Sequence, residues 1–167
     1  MNLNDISNNS TLLIDANILI YATERKSSQC RELLQRVDDG VVRGVCTTIT
    51  VAELCHRCMM NEACTKGLLA SSNPARTLSQ QPGIVTRLSE YAEIVRDILG
   101  CSLTIEIIQG EDFYVALELQ KQHGLLTNDS LILAVAKRLG IKGIVTADKG
   151  FDSVQGVIVY KPSDLIV

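Results

Sequence analysis

Read only for hydrophobic and polar positions, the chain alternates short apolar runs with stretches of helical spacing. Thr11 to Ile14 is an apolar run ending at Asp15, and Ala16 to Thr23 then sets Ile18, Leu19 and Ala22 at helical spacing. A strand entering a helix is predicted. Ser27 or Ser28 can cap a second helix through Val37, with Leu33, Leu34 and Val37 on one face and Asp38-Asp39-Gly40 as its closing turn. Val41 to Thr47 reads as a second strand. Thr50 followed three residues later by Glu53 has the spacing of a capping box, which predicts a helix to about Asn61 and puts Glu53 in its first turn.

Turn-forming residues then concentrate between 64 and 83, among them Gly67, Ser71, Ser72, Asn73, Pro74, Ser79, Pro82 and Gly83, as in an inserted or flexible stretch. Helical spacing returns over Ile84 to Leu99, stopped by Gly100. Leu103 to Ile108 alternates as a strand, and Glu111 to His123 is an amphipathic helix ended by Gly124. Asn128 and Asp129 precede a helix over Leu131 to Leu139. Gly143 to Thr146 is an apolar strand with Asp148 in the polar turn behind it, and Val157 to Tyr160 is a final edge strand. The leader MNLNDISNNS is polar and expected to fray. Strands alternating with helices imply right-handed crossovers and an α/β fold: a three-layer sandwich whose central parallel sheet has helices on both faces. The length of 167 residues suits one domain over 1–167, with an insertion expected near 64–100.

In such sheets ligands bind beyond the carboxyl ends of the strands, and four acids occupy that kind of place. Asp15 follows the first strand, Glu53 begins the helix after the second, Asp129 sits at a helix N-terminus and Asp148 follows a late strand. Each has a local explanation, Asp15 and Asp129 as N-caps, Glu53 as half of a capping box and Asp148 as a turn residue. Their shared position at one edge outweighs those separate explanations. Together they would repel one another unless protons or a hard divalent cation compensate, which points to Mg2+ or Mn2+.

Charge and composition refine this picture. The 16 basic against 19 acidic residues give a net charge of −3, the opposite of a general nucleic-acid binder. Committing four acids to an ion would leave the remainder nearly balanced. Aromatic residues are 4 % with no tryptophan, which disfavours base-stacking platforms. Six cysteines in a chain with no expected signal peptide fit a reducing cytosol, and no apolar run reaches a membrane span. Cys55, Cys58 and Cys64 with His56 invite a zinc reading, but no second CxxC follows, so core or surface thiols are preferred. His123 reads as a helix-end residue. Arg25, Lys26 and Lys149 flank the acidic loops, where phosphate contact competes with plain surface solvation.

The segments LLIDANILIYA at 12–22, TTITVAEL at 47–54, TNDSLILAVAKRLG at 127–140 and IVTADKGFD at 144–152 resemble the PIN domain, which includes the VapC-type toxins. The resemblance covers nearly the whole chain in order. It implies a metal-dependent endoribonuclease with acidic residues at Asp15, Glu53, Asp129 and Asp148, and with Asn17 and Thr146 at polar positions near the metal. It further implies a homodimer and, in toxins, an antitoxin peptide whose basic side chain enters the acidic cleft. Asp15, Asp129 and Asp148 are assigned as metal ligands, with Glu53 either ligating or orienting the attacking water. The stretch from Glu53 to Asp129 is longer than in the compact toxins. The alternatives are an RNA-processing nuclease without an antitoxin, a non-catalytic RNA- or protein-binding scaffold, and, least favoured, a phosphate-signalling receiver or aspartyl phosphotransferase, which would want a second acid where Asn17 stands.

Overall fold

A computed structural model describes residues 1–69 and 74–165. Five strands, β1 (Thr11–Ile14), β2 (Arg43–Thr47), β3 (Thr104–Glu106), β4 (Gly143–Val145) and β5 (Ile158–Tyr160), form one sheet in the order β3-β2-β1-β4-β5. Every pairing is parallel, with Leu13 of β1 registered between Val45 and Ile144. The helices are α1 (Ala16–Thr23), α2 (Ser28–Asp38), α3 (Thr48–Thr65), α4 (Pro74–Gln80), α5 (Pro82–Val85), α6 (Glu90–Gly100), α7 (Gly110–His123) and α8 (Thr127–Arg138).

The expected α/β sandwich follows from strand alternation. Leu12 and Ile14 point into one core with Ile18, Leu19, Leu33, Leu54 and Val95, whereas Leu13 points into the other with Leu131, Val135, Ile144 and Phe151. Both faces of β1 are therefore buried, as a parallel sheet with helices on each side requires. Where α2 and the start of β3 press on the sheet, a Cβ at Gly44 would lie 2.7 Å from Leu103 Cδ2 and 3.0 Å from Val37 Cγ2, so that position needs glycine's small size. Strand order reverses between β1 and β4, which makes the space beyond their carboxyl ends the switch-point crevice. A receiver has the order 2-1-3-4-5, so the strand order excludes the receiver half of the least favoured alternative.

Several local expectations are corrected. The leader is tied down: Leu3 and Ile6 are buried, the Met1 amine donates to the Val159 carbonyl at 2.9 Å, and Asn2 bridges Lys161 beside β5. Helix α3 begins earlier than predicted because Thr47, not Thr50, is its N-cap, the Thr47 hydroxyl accepting from the Thr50 N–H. Glu53 therefore stands in the second turn. Among the described residues of 64–83, α3 runs to Thr65 and α4 and α5 follow from Pro74; Ser71, Ser72 and Asn73 of the turn-rich run lie outside the described residues. Ala63, Leu78, Ile84 and Leu88 build a small satellite core there, while Val95 and Ile98 of α6 join the main core.

The predicted helix over 84–99 is interrupted around Ser89. Buried Glu62 of α3 accepts from the Ser89 N–H at 3.0 Å and the Tyr91 N–H at 2.8 Å, and pairs with Lys66 at 2.6 Å. Strand β3 stops short of the predicted Ile108 because the Arg138 guanidinium takes the Ile107 carbonyl at 3.1 Å while pairing with Glu106 and Asp112. Among the described residues no helix is long and apolar enough to cross a membrane.

Candidate active site

Asp15 caps α1. Its Oδ1 accepts from the Ala16 N–H at 2.7 Å, so the local reading of this residue is correct as far as it goes. Its Oδ2 is held separately, by the Thr146 hydroxyl at 2.7 Å and the Asn17 amide at 2.5 Å. Those partners stand across the switch point, and the sheet explains the meeting: Asp15 leaves β1, Thr146 leaves the adjacent strand β4, and Asn17 sits in the first turn of α1.

Thr146 has no solvent exposure and links two acids. While donating to Asp15, its Oγ1 accepts from the Asp148 N–H at 3.0 Å. Asn17 Oδ1 accepts from the Ala147 N–H at 3.0 Å and its amide also reaches Thr146 at 3.1 Å, which fastens the β4 exit loop to α1. Asp148 is exposed, and its Oδ1 accepts from the Gly150 N–H at 2.7 Å, the expected turn role.

The other two acids come from helices. Asp129 lies in the first turn of α8 rather than before it, a position the helix dipole favours for an anion, and no side chain caps that helix. Glu53 of α3 accepts from the Asn128 amide at 3.4 Å. Asn128 is the residue the sequence reading missed as a site component; it lies in the TNDS segment beside Asp129 and was read there only as a helix-start signal. Glu53, Leu126, Asn128, Asp129 and Asp148 line an open cavity of about 420 Å³.

Mutual repulsion is visible in the proton affinities. Burial first, then Asp148, Asp15 and Glu53, push the Asp129 carboxyl up to about 6. Burial raises Asp15 as well; the Thr146 and Ala16 donors oppose that rise, and Glu53 and Asp148 add to it. The structure thus brings all four acids into one electrostatic neighbourhood. Among the described residues no lysine, arginine or histidine pairs with any of them. Nor do any three His, Cys, Asp or Glu side chains there converge closely enough to hold an ion as they stand. Of the cysteines in the zinc-like run, Cys58 is in the core with its thiol pushed up to about 11, chiefly by burial, and Cys64 is on the surface.

Comparison with known proteins bears on this arrangement. No curated protein sequence matches the chain. Among solved structures, a toxin-antitoxin complex from Klebsiella pneumoniae is similar at a TM-score of 0.57 and 20 % identity, over 88 % of this chain and 95 % of that one. VapBC2 from Rickettsia felis, solved bound to a DNA fragment from its promoter, is similar at a TM-score of 0.56 and 19 % identity, over 90 % of this chain and 98 % of that one. At such identities the likeness is one of fold. The PIN domain model matches residues 12–157. That span runs from β1 through β4 and takes in all four carboxylates, and the chain belongs to the PIN domain family.

Proposed function

We propose that the chain is a Mg2+- or Mn2+-dependent endoribonuclease, the toxin of a toxin-antitoxin pair, that hydrolyses RNA phosphodiester bonds in the switch-point crevice. One observation carries the reading: Glu53, Asp129 and Asp148 line that crevice, Asp15 is near enough to join them in raising the proton affinity of Asp129, and among the described residues no basic side chain pairs with any of the four. Such a cluster repels itself and would repel a phosphodiester equally, so both the resting site and the substrate call for a hard dication. The donor set fits one. It consists of carboxylate oxygens without thiolate or imidazole, the preference of magnesium and manganese.

Asp15, Asp129 and Asp148 would hold the ion, with Glu53 joining them or orienting the attacking water. Once bound, the ion supplies local positive charge, acidifies water and stabilises the leaving oxygen. The chain's contribution is position. The Thr146 hydroxyl sets Asp15 and the Asp148 backbone from a single atom, Asn17 fixes the loop between them, and Asn128 holds Glu53 towards Asp129.

The similar structures from Klebsiella pneumoniae and Rickettsia felis are of a toxin-antitoxin complex and of VapBC2, which supports an antitoxin partner offering a cation to this acidic crevice. A second copy of the chain is supported by the outer face of α7, where Phe113, Tyr114 and Leu117 are 50 %, 76 % and 54 % exposed. The six free cysteines agree with a cytoplasmic setting.

The test is cleavage of RNA by purified protein with Mg2+, with Mn2+ and with chelator. Cleavage is expected only with an ion, and Asp15→Asn and Asp129→Asn should each reduce it about 100-fold or more. Full metal-dependent cleavage by both variants would show that the site lies elsewhere. Ion binding without cleavage of any RNA would favour the scaffold reading.

A further inference from the structure

We infer that a groove along α3 holds the backbone of single-stranded RNA on one side of the scissile bond, with Arg57 as its principal phosphate-positioning residue. The inference rests on the nuclease reading and extends it to how substrate is gripped. His56 and Arg57 follow Glu53 by three and four residues, so they lie one helical turn further along the same side of α3. From there a cavity of about 480 Å³ continues between α3, the end of α1 and the start of α4, and that volume is in the range of ligand clefts, roughly 300–1,000 Å³.

The lining suits a polyanion with unpaired bases. Arg57 is exposed and, among the described residues, forms no ion pair. Lys26 stands on the opposite wall but is paired with Glu24 at 2.9 Å, which leaves the Arg57 guanidinium as the unpaired cation among the described lining residues. Asn61 offers amide donors and acceptors, and Met60 an apolar surface, one turn beyond Arg57. For a chain of net charge −3, a local cation next to the acidic crevice is what would align a polyanion across it. An acidic protein segment would meet the same cation, but a route that starts one turn from Glu53 favours the substrate strand.

The experiment uses the full chain and a labelled oligouridylate of about twelve nucleotides, with affinity read by anisotropy in calcium buffer across a salt series. Cleavage kinetics are then measured in Mg2+ or Mn2+ on the same oligomer and on a dinucleotide. Arg57→Ala should weaken oligomer binding roughly tenfold, lower the salt slope by about one, and raise KM for the oligomer with kcat and dinucleotide cleavage little changed. Arg57→Lys should recover most of the binding. Unchanged affinity and slope would overturn the inference, as would an equal loss of kcat on the dinucleotide or a loss of binding to an acidic peptide but not to the oligomer. Absence of cleavage by the unaltered protein, with an Arg57-dependent salt slope intact, would overturn the nuclease reading and leave the groove standing.

Discussion

Asp15 satisfies two demands with two oxygens. One caps a helix, and the other is held by Thr146 and Asn17 where two strands diverge. At this scale the acids are in tension with stability. Asp129 has its folded value raised from 3.8 to about 6, so the folded state holds the proton more tightly than the unfolded chain. Its contribution to stability is present below about 3.8 and falls away as pH rises towards 6. Without divalent ions at neutral pH, Asp129→Asn should therefore melt higher than the unaltered protein, by about 1 kcal/mol once solvent screening is allowed for. Melting curves at pH 4 and pH 7 check this: the gain should appear only at the higher pH, and a destabilised variant would count against the electrostatic account. Thr146→Val keeps the shape of a fully buried side chain but removes its three hydroxyl bonds, to Asp15, Asp148 and Asn17, and its ion affinity should drop about 10- to 100-fold in a calorimetric titration.

Among the elements, the link between α3 and the segment following α5 is the most exacting. Burial alone would raise the Glu62 carboxyl, but Lys66 and the backbone donors of Tyr91, Ser89 and Glu90 prevail and hold it at about 2. The ordinary value is 4.5, so this stabilisation is complete above that pH and is lost as pH falls towards 2. Glu62→Ala should cost about 3 kcal/mol at neutral pH and noticeably less at pH 3, as read by denaturant unfolding at the two pH values. The same link shows where sequence reasoning stops. Ser89 and Tyr91 lie 27 and 29 residues from Glu62, so no local pattern reveals why the helix predicted over 84–99 breaks. The start of α3 was misread for a different reason: TTIT offers several hydroxyls, and the capping-box spacing selected Thr50 where tertiary placement uses Thr47. On α7, Tyr114→Lys should convert a dimer to a monomer in sedimentation velocity, and a monomeric unaltered protein would remove that interface from the account.

For the whole molecule, the legible part of the fold was the part written in apolar runs. Strands β1, β4 and β5 and helices α1, α2 and α7 follow from spacing and turn residues, the strands as short apolar runs bounded by polar turns and the helices from apolar positions three to four residues apart. The positions of the four acids at strand exits and helix starts were legible too. Their meeting was expected from that shared edge, but the sheet order that sets β4 beside β1 was not written in the apolar pattern. Asn128 escaped notice because its partner, Glu53, is 75 residues away. The central claim is that these acids act together on one ion. Titration of the metal-free chain with Mn2+, followed by calorimetry, measures this most directly. Binding that is strong in the unaltered protein and lost in both Asp129→Asn and Asp148→Asn is the predicted result; binding that survives in both variants, or is absent from the unaltered chain, would contradict it.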